Sequence, residues 1–212
     1  TYPPSQSSIA FTLCALWLVG FSLQLLRGCL AHRYWHQVVK TATTWQMPDS
    51  IATFLTNKYH FRRLPTIRVT NRVHNAVSGG LFNPYVLLNP KKLAELTEEQ
   101  LQDVLDHELA HQARRDHWVR YLEQLVLAMY WFNPAVRRLC RELAICREHL
   151  CDDLVLQNRT PVAYGETLLR VAELTLENAF RRTSIPFAAT SVLADKSELQ
   201  GRITSILTPT GQ

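Results

Sequence analysis

The sequence predicts an α+β protein that is mainly helical, carries a small β-sheet and begins with a transmembrane helix. Three observations lead to this prediction: a long apolar stretch near the start, short alternating stretches between residues 66 and 88, and apolar residues at helical spacing from residue 97 onward. The 212 residues are enough for one core of ordinary size together with a membrane segment. Because the chain starts at Thr1 and not at methionine, we expect a portion of a longer protein.

The apolar stretch runs from Ile9 to Leu26 and, at about 1.5 Å per helical residue, spans roughly 27 Å, close to the minimum for a bilayer core. We favour a transmembrane helix over a buried core helix or the core of a signal peptide. No cation precedes the stretch, whereas Arg27, Arg33 and Lys40 follow it. By the positive-inside rule, the protein is predicted to lie in the cell membrane with its remaining domain facing the cytoplasm.

The sheet is predicted from three short segments that follow an amphipathic, mostly helical region. That region runs from His32 to Tyr59 and is broken at Met47–Asp49, where a proline stops the helix. Thr66–Thr70 alternates as a strand, and Asn75–Ser78 and Tyr85–Leu88 are two more, separated by a Gly-Gly pair. A small sheet beside a helical half follows from this order of elements.

A capping box predicts that a helix begins at Thr97. The Thr97 hydroxyl can accept a hydrogen bond from the amide three residues on, while the Gln100 side chain reaches back. Leu101, Val104 and Leu105 then follow at helical spacing, and their stripe runs directly into the next motif. That motif is therefore predicted to be partly buried.

The motif His107-Glu108-Leu109-Ala110-His111 is the most specific chemical signal in the chain. Positions four apart on a helix point in nearly the same direction, so both imidazoles can bind one metal ion. Glu108, beside the first ligand, can then take a proton from a water at the metal. An exposed helix with two solvated histidines is the plain alternative.

A third ligand must come from elsewhere, because two histidines and a water leave a tetrahedral zinc one protein ligand short. Asn133 and Pro134 predict the cap and first position of a second helix that reaches about Gln157. On it Glu148 and Asp152 stand four apart, so one carboxylate can bind metal while the other accepts from an imidazole. A solvated acidic stripe explains the same spacing as well. The competing ligands are His149, Cys151, Cys146 and His117.

Several motifs, taken in order, resemble the integral-membrane zinc metallopeptidases of the BlaR/MecR type, the sensor-transducers and antirepressors of beta-lactam resistance. The motifs are Gly80–Leu88, His107–Asp116, Trp131–Pro134 and Glu148–Asp152. Helical segments after Tyr164 and Leu199 also match, so the resemblance covers nearly the whole chain. It implies a gluzincin-like zinc peptidase fold, with Glu148 as the third zinc ligand and Asp152 as a carboxylate that supports a ligand.

The resemblance also implies a function. The chain is expected to be a membrane-anchored endopeptidase with Zn²⁺ as cofactor, bound by His107, His111 and Glu148, and with Glu108 as general base. Its expected substrate is a cytoplasmic transcriptional repressor or the chain itself, in signal-induced gene regulation of the antibiotic-resistance type. Two alternatives stay open: a housekeeping membrane zinc protease, and a non-enzymatic signal-relay scaffold. Phe180–Pro186 is predicted to be an exposed linker and a place for a self-cut.

The predicted organisation has three parts: residues 1–31 as the transmembrane segment with its short flank, 32–180 as the zinc metallopeptidase domain, and 181–212 as a linker with a helical C-terminal segment. The sequence does not choose between a monomer and a homodimer, and it does not identify the inducing signal.

Two further roles near the metal are predicted. Related zinc peptidases hold an extended substrate on an edge strand, for which the candidates are Val86, Leu87 and Leu88. An ordinary buried strand is an equal alternative. A helper for the developing oxyanion is needed in principle, and the sequence offers His117, Arg115, Tyr121 and Arg141, of which His117 and Arg115 are taken as candidates.

The stretch Leu125–Phe132 is apolar throughout but too short to cross a bilayer. It can lie against the membrane through its aromatic end, although core packing is the favoured interpretation.

The composition limits the classes of partner. With 23 Lys and Arg against 18 Asp and Glu, the net charge is +5, which suits anionic lipid or an acidic partner. The basic residues are spread along the chain, and the sequence contains no zinc finger, RNP signature or P-loop, so no direct nucleic-acid binding is expected. The five cysteines are odd in number and form no Cys-x-x-Cys pair, which favours reduced thiols.

Overall fold

The structure is a computed structural model and describes residues 6–182 and 199–207. The helices are α1 (Gln6–Thr41), α2 (Asp49–Tyr59), α3 (Pro90–Glu95), α4 (Glu98–Ala113), α5 (Asp116–Met129), α6 (Pro134–Leu156) and α7 (Pro161–Arg182), and the strands are β1 (Thr43–Thr44), β2 (Thr66–Val69), β3 (Val77–Gly79) and β4 (Tyr85–Leu88). Residues 199–207 form a further helix, called here the C-terminal helix. The predicted α+β class, with an apolar first helix and a small sheet, is confirmed.

The four strands form one mixed sheet in the order β1-β2-β4-β3. β2 and β4 run parallel, and the two outer pairs are antiparallel. Successive side chains of β4 point to opposite faces, so Val86 and Leu88 join one core cluster while Leu87 joins another beside Val38 of α1. Burial on both faces explains why β4 reads as a continuous apolar run.

The turn between β3 and β4 depends on Gly80. Its φ of 92° lies in a region that side chains with a Cβ rarely adopt, and a Cβ there would meet the Asn83 carbonyl oxygen at 2.1 Å. The turn reverses the chain so that Gly79 pairs with Tyr85.

Helix α4 lies at the centre of the protein. One side packs Leu101, Leu105 and Leu109 against Ile51 and Leu55 of α2 and against the sheet. The helix also contacts α5, α6 and α7. The polar side of α4 therefore faces helices, and this is where the histidine motif lies.

The local signals of the sequence are confirmed where they concern helix ends. Thr97 and Gln100 form the capping box in both directions at the start of α4. Asn133 caps α6 through its side chain, with Pro134 as the first helical residue. The predicted break near Met47–Asp49 is followed by the start of α2, but β1, which the sequence did not predict, lies before it.

Helix α1 extends further than its apolar stretch and ends at Thr41, beyond the predicted boundary at residue 31. By length and composition it is able to cross a membrane. Its large apolar side chains, for example Phe11 and Leu16, are exposed along most of its length. The domain boundaries stay predictions.

The favoured core packing of Leu125–Phe132 is wrong. Only Ala128 in this stretch is buried, whereas Leu125, Met129 and Phe132 are 45%, 40% and 58% exposed. The reason is that α5 packs along α1, and α1 does not cover the outer side of α5. The apolar surface of α1 thus continues onto α5.

Candidate metal centre

Helix α4 presents both motif histidines and Glu108 toward the interior. All three residues are buried, and the rings of His107 and His111 stand at 5.0 Å between centroids, one helical turn apart. The capping box fixes the start of the helix, and the leucines on its opposite side fix its rotation against the sheet. Packing of the leucines therefore fixes the motif from one side of the helix, while its polar side chains are directed to the other side.

Glu148 of α6 faces both histidines. Its Oε2 lies 3.3 Å from Nε2 of His107, and its Oε1 lies 3.5 Å from Nε2 of His111. The three residues bring ligand atoms within 4.8 Å of one another. Two imidazole nitrogens and one carboxylate, with an open fourth position, are the donor set of catalytic zinc sites, so these residues fit that ion.

The competing ligands are placed less favourably. Cys151 and Asp116 form a second group with His111, but they approach its Nδ1, the nitrogen on the far side of the ring from Glu148. His149 and Cys146 belong to neither of the two ligand groups found among the described residues.

Asp152 lies behind His107 and accepts several hydrogen bonds. Its Oδ1 is 3.1 Å from Nδ1 of His107 and 2.6 Å from the hydroxyl of Tyr164, which donates. The guanidinium of Arg202, from the C-terminal helix, donates to both carboxylate oxygens. Asp152 therefore fixes the ring of His107 with its Nδ1 proton directed away from Glu148.

Asp116 has the equivalent position behind His111. Its Oδ2 lies 2.8 Å from Nδ1 of His111, and both side chains are buried. Arg115 makes this contact possible, because its left-handed conformation (φ 60°, ψ 34°) turns the chain sharply between α4 and α5. Sequence reasoning missed this role for Asp116, although the residue lies at the end of the recognised motif.

The charges of this cluster stabilise one another. Burial lowers the pKa of His107, but hydrogen bonds to Asp152 and Glu148 outweigh it and raise the pKa to about 9. Burial acts the other way on the acids, yet His107 holds the pKa of Glu148 down at about 2 and, with Arg202, holds that of Asp152 well below its usual range. At neutral pH both acids are therefore ionised and His107 is protonated. A metal cation that binds here would replace a proton of His107.

An open cavity of about 380 Å³ reaches this cluster. Glu108, His107, His111 and Glu148 line it, together with two cations, Arg120 and Arg202. The lining also includes the segment Asn75, Ala76, Val77 and Ser78.

The two predicted oxyanion helpers lie outside this lining. Arg115 is exposed at the corner between α4 and α5. His117 is buried, and its Nε2 has no hydrogen-bond partner among the described residues. Burial and the charge of Arg120 lower the pKa of His117 to about 4, so its imidazole is neutral at pH 7. Both assignments stay predictions.

The structure corrects the predicted substrate strand. Val86, Leu87 and Leu88 lie on β4, which has β2 on one side and β3 on the other, so their backbone has no free edge. The strand at the edge beside the cavity is β3. The expectation failed because continuous apolar character marks an internal strand.

Comparisons with known proteins agree with the motifs. A family model described as BlaR1 peptidase M56 matches residues 3–206. The regulatory protein BlaR1 of Bacillus licheniformis is 25% identical over 208 residues, which are 96% of this chain and 34% of that protein. The methicillin resistance mecR1 protein of Staphylococcus aureus is 22% identical over 173 residues, 79% of this chain and 29% of that protein. The chain spans about a third of the length of these curated relatives.

Proposed function

Because the chain belongs to the BlaR1 peptidase M56 family, we propose that it is a zinc endopeptidase of the type that combines two motif histidines with a distant glutamate. One observation carries the proposal: His107, His111 and Glu148 place ligand atoms within 4.8 Å of one another, beside Glu108 and at the wall of an open cavity. A metallopeptidase needs a metal site with one position open and a carboxylate nearby. The three ligand residues and Glu108 in the same cavity lining support this assignment.

The residues divide the work of peptide hydrolysis. When bound, zinc lowers the pKa of a water and polarises the scissile carbonyl. Glu108 accepts the proton of the attacking water and later gives it to the leaving amine. Arg120 lines the cavity with its Nη2 3.9 Å from Glu148, so its cation is better placed than His117 or Arg115 to face a developing oxyanion.

The edge of β3 supports binding of an extended substrate. Val77 and Ser78 line the cavity, and β4 is the partner of β3 on its other side. Gln112 donates to the carbonyl oxygens of Gly79 and Tyr85 and so ties α4 to this edge. A peptide that pairs with β3 would lie in the cavity that Glu108 also lines, and its recognition would rest on backbone hydrogen bonds.

The location and the substrate belong to the same proposal. In this proposal α1 crosses the membrane, which its length and composition support. The cations that follow its apolar stretch support a catalytic domain on the cytoplasmic side. The substrate is a cytoplasmic transcriptional repressor or the chain itself, a role that the names of the relatives support, since one is a regulatory protein and the other a methicillin resistance protein. The predicted self-cut at Phe180–Pro186 lies outside the residues whose side chains are described.

Metal binding and cleavage separate the roles of the site residues. The full chain in detergent micelles should bind about one zinc per molecule. Glu108→Ala should keep the zinc and lose cleavage by about 100-fold or more. Glu99→Ala, the same change at an exposed position of α4, is the matched control and should keep both. Cleavage by Glu108→Ala at the native rate would remove Glu108 as the base.

Glu148→Ala should weaken zinc binding, because it removes one of three protein ligands. Glu142→Ala, at an exposed position of the same helix, should leave zinc affinity unchanged. An undiminished zinc affinity of Glu148→Ala would transfer the third-ligand role to another residue, such as Cys151.

The substrate can be identified in cells. Mass spectrometry of proteins cut by the wild type but not by Glu108→Ala should find a repressor, the chain itself, or both. Many unrelated membrane proteins among the cut products would instead indicate a housekeeping protease. No difference between the two strains would indicate a scaffold without enzymatic activity.

A further inference from the structure

The C-terminal helix, which follows α7 after residues outside the described part, returns to the metal centre. Its Arg202 lines the cavity and is largely buried, with 16% of its side chain exposed. Arg202 Nε lies 2.8 Å from Oδ2 of Asp152, and its Nη2 lies 2.5 Å from Oδ1. This two-point contact matches the planar fork of a guanidinium to the plane of a carboxylate.

The contact completes a chain of hydrogen bonds that ends at a metal ligand. Asp152 accepts from Arg202, from the hydroxyl of Tyr164, and from Nδ1 of His107. Nε2 of His107 then points toward Glu148. Carboxylates behind ligand histidines set the tautomer and the direction of the ring, and they are themselves held by further hydrogen bonds.

Arg202 also balances the charge of the site. Asp152 is 2% exposed and Glu148 is 20% exposed, so two carboxylates lie close together away from bulk water. Nη1 of Arg202 lies 3.7 Å from Oε2 of Glu148, within reach of both acids. Without this cation, the hydrogen-bond partners of Asp152 among the described residues would be the Tyr164 hydroxyl and the His107 ring.

We propose that Arg202 is a positioning residue of the metal centre, which holds Asp152 so that His107 is fixed in the orientation that binds zinc. The inference rests on the proposed function of the site. The C-terminal helix is then a part of the active site, because one of its residues influences how tightly the ligands on α4 and α6 bind zinc.

A second residue of the C-terminal helix, Ile206, also anchors it to the protein. Ile206 is 4% exposed and packs with Val155 and Tyr164, where Leu156 and Leu168 enlarge the cluster. Replacing Arg202 should therefore leave the helix docked while removing the support of Asp152. This separates a positioning role from a purely structural one.

The test compares three variants of the full chain in detergent micelles. Arg202→Met removes the fork but keeps an apolar stem, and Arg202→Lys keeps the charge without the two-point geometry. Arg159→Met is the matched control, because Arg159 is also paired with a buried aspartate, Asp103, at 2.8 Å but does not line the cavity. Zinc dissociation constants come from competition with a chromophoric chelator, and the absorption spectrum of bound Co²⁺ reports the ligand geometry.

Arg202→Met should bind zinc roughly 10- to 100-fold more weakly than the wild type, with an altered Co²⁺ spectrum. Arg202→Lys should lie between the two, and Arg159→Met should match the wild type. Wild-type zinc affinity in Arg202→Met overturns the inference. Should that variant fail to fold, wild-type affinity in Arg202→Lys overturns it instead. A wild-type chain that binds no zinc counts against the proposed function itself, and that outcome is visible before any variant is measured.

Discussion

Two regions of the protein, the helices around α4 and the helix α1, differ in which side chains they bury. On α4, Asp103, Asp106 and Glu108 are buried although each can carry a charge, and the first two have cationic partners. On α1, large apolar side chains such as Phe11 and Leu16 are 77% and 61% exposed. A water-soluble domain buries apolar side chains and leaves acids at the surface.

This difference in burial indicates the environment that suits each region. The acids around α4 are stable inside because lysine, arginine, tyrosine and histidine side chains lie against them. Nothing in the described structure covers the outer side of α1, so its apolar surface suits a hydrocarbon environment. One contact between the two regions involves α5, whose backbone at Met129 accepts a hydrogen bond from Trp17.

The largest loss of stability is expected when a buried charge near α4 loses its partner. Lys58 lies 2.6 Å from Asp106, whose side chain is 3% exposed. Lys58→Met should lower the free energy of unfolding by about 3–5 kcal/mol, because an uncompensated carboxylate then remains inside. Chemical unfolding in detergent micelles measures it. Lys91→Met, at an exposed lysine, is the control, and equal losses in the two variants would contradict the account.

Placing a charge on α1 tests the other region. If this surface faces lipid, Leu16→Lys should make the free energy of membrane insertion less favourable by about 2.5–3.5 kcal/mol. The fraction of protein that stays with membrane vesicles after alkaline carbonate washing measures insertion, and Leu16→Ala is the control. The same fraction for both variants would show that water, and not lipid, surrounds this surface.

The contact between the regions is sensitive to one methyl group. A Cβ at Gly20 would approach the Trp131 ring to 2.1 Å, whereas a Cβ at Gly28 of the same helix would meet nothing within 4 Å. Gly20→Ala should therefore destabilise the protein by about 1–3 kcal/mol. Gly28→Ala should be neutral or stabilising by roughly 0.5–1 kcal/mol. Thermal unfolding in micelles measures both. Identical midpoints would mean that the contact between α1 and Trp131 adds no stability.

The last expected effect is a change of stability with pH. Burial lowers the pKa of Lys92 from 10.5 to about 8. Between these two pH values the unfolded chain holds a proton that the folded protein has released, so the free energy of unfolding should rise with pH. Below pH 8 both states are protonated and this contribution is flat. The wild-type value minus that of Lys92→Met, measured by urea unfolding from pH 7 to 10, should increase above pH 8. A constant difference would show that Lys92 is not the group responsible.

Local features could be predicted from the sequence because they depend on residues close together in the chain. The capping box at Thr97, the cap at Asn133 and the spacing of His107 and His111 are of this kind. Glu148 and Asp152 share a helix face by spacing, and the family resemblance supplied their roles. The structure brings both to His107, at 3.3 Å and 3.1 Å.

Features that involve distant segments were missed or predicted incorrectly. The order of strands arises from pairing between separate segments, so the sequence could not show that β4 is internal and β3 is at the edge. Asp116 reaches His111 only because Arg115 turns the chain in a left-handed conformation, and local composition does not predict that conformation for arginine.

The sequence by itself therefore determined the family and the fold class, and it predicted the residues that we propose as metal ligands, because helix periodicity and short motifs act over a few residues. The tertiary structure decided which strand meets the cavity, which cations line it, and that Arg202, 50 residues after Asp152, donates a hydrogen bond to that carboxylate. These contacts join segments far apart in the chain. Only the packing of helices around α4 gives them their distances.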